Sequence, residues 1–258
     1  MFSRLFKKNP SQNEPVKPNN SQRRSKIIIG VPGKWNSRDD IIGSLFPRGY
    51  LLVGPMLKKA DTEKNWRIEI YDRDPNLRQA FQNAGGGLLE DNLLSEIEVH
   101  TFTVYVSSFE TSIEAARDIQ EVGCALLNSG GLAIKVESSG LAHSATTWQE
   151  LSSSDNLWDL IKSFVVIVST SDAFLTCGMH NFRFPDCSIS RSGDNAETIK
   201  QLNYFNYFQL SQNPVLKERE TFDLGENSPV YRLSKISDDL YPPEHNFHNF
   251  NGRSLDKN

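Results

Sequence analysis

Scarcity narrows this chain before any motif is read. Three cysteines and five histidines are spread over 258 residues. The cysteines form no paired framework, so reduced thiols and a cytoplasmic protein are expected. No apolar run approaches the roughly eighteen residues of a membrane span, and the longest, such as FVVIV at 164–168, are strand-sized. The opening MFSRLFKKNP lacks the apolar core and small-residue cleavage site of a secretory signal. Neither G-x-S-x-G nor H-E-x-x-H occurs, and no internal repeat is evident.

What is present is charge, unevenly placed. The net charge is −4, yet residues 1–26 hold seven bases (Arg4, Lys7, Lys8, Lys17, Arg23, Arg24, Lys26) against one acid, Glu14. The remaining 232 residues carry 21 bases and 31 acids, so the body is near −10. Phosphate neutralisation needs clustered Lys and Arg, which argues against nucleic acid; a basic protein partner suits this body better. Residues 1–25, rich in Asn, Gln, Ser, Pro and Lys, read as a disordered basic leader. Phe2, Leu5 and Phe6 among Arg4, Lys7 and Lys8 give residues 1–8 the pattern of a membrane-surface helix. Eight residues nucleate a helix poorly, and a solvated tail is the preferred reading.

From Lys26 the pattern becomes regular. Strands are expected at 26–31, 50–56, 66–72, 98–108, 132–138, 163–170, 172–179, 187–190 and 230–235; helices at 38–46, 74–87, 111–128, about 148–161 and 196–210. Asp74 and Pro75 suit a helix start, and Thr111 with Glu114 matches a capping box. Ile113, Ala116, Ile119, Val122, Gly123, Leu126 and Leu127 form one stripe on the 111–128 helix, and Cys124, about 20° round the helix from Ile113, sits on that stripe. The strands flanking that helix should make a β-α-β unit with a right-handed crossover. The fold class is α+β, a mixed sheet with a β-α-β unit and hairpins, and possibly two lobes. The division expected is a leader at 1–25, an N-terminal α/β lobe at 26–98, and a C-terminal α+β lobe at 99–258 with an irregular tail.

Several stretches invite chemistry. GVPGKWNS at 30–37 fails the phosphate loop, because Ile28 stands where its first glycine belongs and Trp35 replaces the hydroxyl residue. GGG at 85–87 fails the dinucleotide fingerprint, since it follows a helix and Glu90 takes the third glycine's place. TCGMHNFRFPDC at 176–187 gathers Cys177, His180, Asp186 and Cys187. A zinc site there would need a fourth ligand such as His143, His245 or His248, and no metal or other cofactor is expected. A nucleophilic Cys177, activated by His180 or His143 and oriented by Asp186, is the alternative to a packed turn. The turn is favoured, with Leu175, Cys177 and Met179 alternating on a strand. IKVESSGLAHS at 134–144 places Lys135 and Glu137 on one strand face beside a loop with Ser138, Ser139, His143 and Ser144. Lys135, Glu137, Ser138, His143 and Trp148 are therefore candidates for contact with a ligand or partner.

HTFTVYV, CALLNSGGLAIKVESSGLAHSATTW, CGMHNFRFPD and VYRL…YPPEHNFHN together resemble a family of bacterial proteins of unknown function. In that family a helix ending A-L-L-x-x-G-G leads to a strand K-V-E-S-x-G and then A-H-S. The resemblance covers about residues 27 to 250 and departs where Arg183 and Phe184 replace the glycine and leucine of F-G-L-P-D. It implies a bacterial origin and a loose association with toxin and immunity loci, and it supplies no catalytic residue. The expected function is non-enzymatic protein binding, immunity-like, with a hydrolase or transferase built on Cys177, His180 and His143 as the alternative.

Overall fold

The computed structural model describes residues 26–191, 193–223, 229–235 and 252–257. The basic leader, the candidate membrane helix at 1–8, the tail at 241–250, His245 and His248 lie outside them. In chain order the first half comprises β1 (Ile28–Gly33), α1 (Arg38–Leu45), β2 (Tyr50–Val53), β3 (Met56–Lys59), β4 (Asn65–Asp72), α2 (Leu77–Ala84), α3 (Asp91–Glu98) and β5 (Phe102–Ser107). Then come α4 (Ile113–Leu127), β6 (Ala133–Val136), β7 (Leu141–Ser144), α5 (Ala145–Ser152), α6 (Leu157–Phe164), β8 (Val166–Ser169) and β9 (Ala173–Cys177). The chain continues through β10 (Cys187–Ser190), α7 (Asn195–Gln212), β11 (Thr221–Phe222), β12 (Tyr231–Lys235) and β13 (Arg253–Lys257).

The fold is α+β, as the alternation of helical and strand periods predicts, and it contains two sheets. The first has the order β2-β3-β4-β5-β1-β6-β7, and the second β11-β12-β13-β10-β9-β8. Every neighbouring pair in the first sheet is antiparallel. The expected β-α-β unit is therefore split: β5 and β6 run parallel on either side of β1, joined through α4. β1 and β4 likewise run parallel with β5 between them, giving two interleaved split units of the ferredoxin-like kind. Among the described residues the one parallel pair of neighbours is β10 with β13, in the second sheet. The first sheet spans residue 98, so the boundary expected there falls inside a sheet; the strands change sheet after β7.

Alternation decides which side of the first sheet is dry. Ile29 and Val31 of β1, Trp66 and Ile68 of β4, Val104 and Val106 of β5, and Ile134 and Val136 of β6 are buried against Ile41 and Leu45 of α1 and the stripe of α4. At about 25 cal/mol per Å² of apolar surface, this layer supplies the largest favourable contribution to folding. The stripe of α4 is the one read from the sequence, but its cap is Ser112, whose hydroxyl accepts the Ala115 N–H at 3.0 Å. Thr111 is buried one residue outside that cap. The other side of the sheet is covered at one end only, where Leu77, Phe81, Leu94 and Ile97 of α2 and α3 pack on Ala133 and Ala142.

Four further expectations change. The single strand at 50–56 is a hairpin turned at Gly54, which has φ 58. The helix at 74–87 starts at Leu77, and Asp74 accepts the Asn76 N–H ahead of it. The 148–161 helix is two, because Asn156 caps a new start and accepts the Trp158 N–H. The tail expected to be irregular contributes β13, an interior strand of the second sheet.

Candidate functional site

The stretch that invited catalysis is a packed corner. Cys177 ends β9 and is buried, and burial together with the negative charge of Asp186 pushes its thiol well above the usual range. Cys187 is buried on the opposite face of the second sheet and is raised for the same reasons. Three free cysteines are thus held as thiols, Cys124 also being raised by burial. After Cys177 the chain turns at Gly178, where φ is 130 and an added Cβ would sit 2.1 Å from the Phe164 carbonyl oxygen. Only glycine fits that approach. Met179–Phe182 form one 3-10 turn, and the Asp186 carboxylate holds it by accepting the Met179 N–H and His180 Nδ1, both at 2.9 Å. His180 Nε2 points at the Ser138 carbonyl at 3.0 Å. Both ring nitrogens of His180 thus face acceptors, Nδ1 the Asp186 carboxylate and Nε2 the Ser138 carbonyl. A thiolate nucleophile needs the reverse of this setting.

Two other candidates are core. His143 lies in β7, a strand where a loop was expected; its Nε2 meets the Ser163 carbonyl at 3.1 Å, and burial lowers its pKa. Trp148 is fully buried, with its indole N–H donating to the Gln120 carbonyl at 3.2 Å. Ser144 is the N-cap of α5. Among the described residues no group of three or more His, Cys, Asp and Glu side chains could hold a metal ion. Nor is any helix among them long and apolar enough to cross a membrane.

Lys135 and Glu137 lead elsewhere. They form an ion pair on the face of the sheet that Ala133 shares, next to the end covered by α2 and α3. Register places Lys135, Gly30, Tyr105 and Glu69 in one row across β6, β1, β5 and β4. A second row holds Ile28, Ser107, Arg67 and Met56, and a third Thr103 and Tyr71. The Tyr105 ring and the Glu137 carboxylate converge over Gly30, where an added Cβ would lie 2.8 Å from Tyr105 Cε1 and 3.0 Å from Glu137 Oε1.

Beside this convergence lies a groove of about 520 Å³, lined by Ile28, Glu69, Tyr71, Asp72, Asp74, Thr103, Tyr105 and Ser107. Tyr71 and Tyr105 meet edge to face with centroids 5.6 Å apart. The Tyr71 hydroxyl donates to Glu69 at 2.7 Å, which holds that carboxyl below its ordinary value with help from Arg67 at 2.7 Å and from Lys26. Burial, and then the charges of Glu137 and Asp74, push the Tyr105 phenol up to about 12. Its hydroxyl therefore stays a neutral donor and acceptor at any ordinary pH.

The rim is built by His100. This fully buried ring donates from Nδ1 to the Ile97 carbonyl at 2.6 Å, and its Nε2 accepts the Asp74 N–H at 3.2 Å, which fixes the start of the β4–α2 connection. Asp74 makes no ion pair among the described residues, and Asp72 is met by Arg38 at 3.4 Å. The result is an aromatic floor bordered by the carboxylates of Glu69, Asp72 and Asp74. Sequence reading found Lys135 and Glu137 but missed Glu69, Tyr71, Tyr105 and Asp74. Their signal was the polar half of the alternation in WRIEIYD and FTVYVS.

No family model matches the chain, and no curated protein or solved structure is similar to it at a significant level.

Proposed function

We propose that this protein is a non-enzymatic binding module that receives a basic segment of a partner protein across the uncovered face of its first sheet. The observation that carries the reading is the convergence of Glu69, Asp72, Asp74 and Glu137 around the Tyr71 and Tyr105 rings. A guanidinium or ammonium entering there meets carboxylates at its head and aromatic faces along its stem. Phosphates would be repelled, which disfavours nucleic acid. The buried, high-pKa state of Cys177 and the engagement of both His180 nitrogens weigh against the hydrolase or transferase alternative. An immunity-like role, with a basic toxin as the partner, is the form of this reading that the family resemblance favours.

The test is fluorescence anisotropy of a labelled hexa-arginine peptide titrated with the full chain at low salt. Exposed ion pairs contribute about 0.2–1 kcal/mol each, so reversing Glu69 and Asp74 together to Lys should weaken binding about tenfold or more. The same double reversal at Glu63 and Glu218, exposed acids elsewhere, should change it little. Equal losses from both pairs would reduce the effect to overall charge and remove the case for the groove.

A further inference from the structure

We infer that the chain's own basic leader, residues 1–25, occupies this groove in cis and competes with the partner segment for it. The inference rests on the preceding reading of the groove and adds its regulation. Two observations support it. The first is charge: the leader holds Arg4, Lys7, Lys8, Lys17, Arg23 and Arg24 against Glu14 alone, a cationic segment to match an anionic groove.

The second is where the leader joins the fold. Lys26 is the first described residue, and Ile28, two positions on, lines the groove itself. The Lys26 charge adds to the influences that hold the Glu69 carboxyl, one of the groove's lining groups, below its ordinary value. At about 3.3–3.6 Å per extended residue, Arg24 lies within about 7 Å of Lys26 and Arg23 within about 11 Å. The tether is therefore short for the bases nearest the groove, and the effective concentration for them is of millimolar order. A segment binding at about 0.1 mM in trans would then be mostly bound in cis, and a partner would bind about tenfold more weakly than to an empty groove.

The experiment keeps the chain at full length. In one version Arg4, Lys7, Lys8, Lys17, Arg23 and Arg24 are all replaced by Gln. Both proteins are titrated into a labelled synthetic peptide of residues 1–25 and, separately, into labelled hexa-arginine. The neutral-leader chain should bind each peptide about tenfold more tightly than the wild type, and adding Glu69→Lys with Asp74→Lys should abolish that gain. Equal affinity of the two chains would overturn cis occupancy, while hexa-arginine binding that still depends on Glu69 and Asp74 would leave the groove reading standing. Tight leader-peptide binding that ignores the groove reversals would put the leader elsewhere and overturn the inference. No binding of either peptide to the neutral-leader chain would remove the groove reading, and this one with it.

Discussion

Replacing Asp186 by Ala tests whether TCGMHNFRFPDC is a corner that shapes the fold. The carboxylate is nearly enclosed, its side chain only 6% exposed, and it makes two bonds at 2.9 Å, to the Met179 N–H and to His180 Nδ1. Met179 is fully buried, so its N–H would be left without a partner, at a cost of about 1–3 kcal/mol. His180 keeps 17% of its side chain exposed, so water can replace part of what it loses. Charge-assisted bonds to a carboxylate contribute about 1.5–3 kcal/mol. The expected loss is about 3–4 kcal/mol, a large share of the 5–15 kcal/mol that holds an ordinary domain together. Urea unfolding followed by tryptophan fluorescence should show a lower midpoint at unchanged slope. Asp186→Asn keeps one carbonyl oxygen for Met179 and should fall between wild type and Ala. A loss below about 1 kcal/mol for Ala, or an Asn variant as damaged as Ala, would refute the reasoning.

Two further outcomes follow from burial. His143 and His100 both have lowered pKa values because burial disfavours the charged ring, so the unfolded chain takes up protons near pH 6.5 that the fold refuses. Stability should be level above that value and decline as pH falls through it, by up to about 1.4 kcal/mol per unit for each histidine; urea midpoints at pH 7.5, 6.5 and 5.5 check this, and a flat series contradicts it. With iodoacetamide at pH 7.5, Cys177 and Cys187 should label only after denaturant is added, and half-buried Cys124 before them; rapid native labelling of Cys177 would revive a catalytic thiol.

How far the sequence reached depends on what each residue advertises. The helix at 113–127 was plain because its stripe repeats over four turns, whereas its cap moved one residue because Thr111 and Ser112 carry the same hydroxyl. β7 reads LAHS and β13 reads RSLDK, four and five residues with polar majorities or near it, too short for alternation to separate them from loop. Pairing with β6, and with β10 and β12, makes them strands. Lys135 and Glu137 were legible as a same-face pair. That Tyr105 from β5, Glu69 from β4 and Gly30 from β1 share their row was not, since it depends on strand order and register. Whether a polar strand face is left bare or roofed by helices is likewise a tertiary fact, set here by α2 and α3 stopping over β6 and β7.

The interior place of β13 sets the order in which this molecule can be completed. Every strand of the first sheet precedes residue 145, so that sheet can assemble as the chain emerges. β10 must wait for a neighbour about sixty residues downstream, which at about 5–20 residues per second is roughly 3–12 s of synthesis. Through that interval Cys187–Ser190 present an unpaired edge backed by apolar side chains, a template on which other chains can add. A ribosome stalled in this stretch would release an incomplete molecule with a finished first sheet and an adhesive second one.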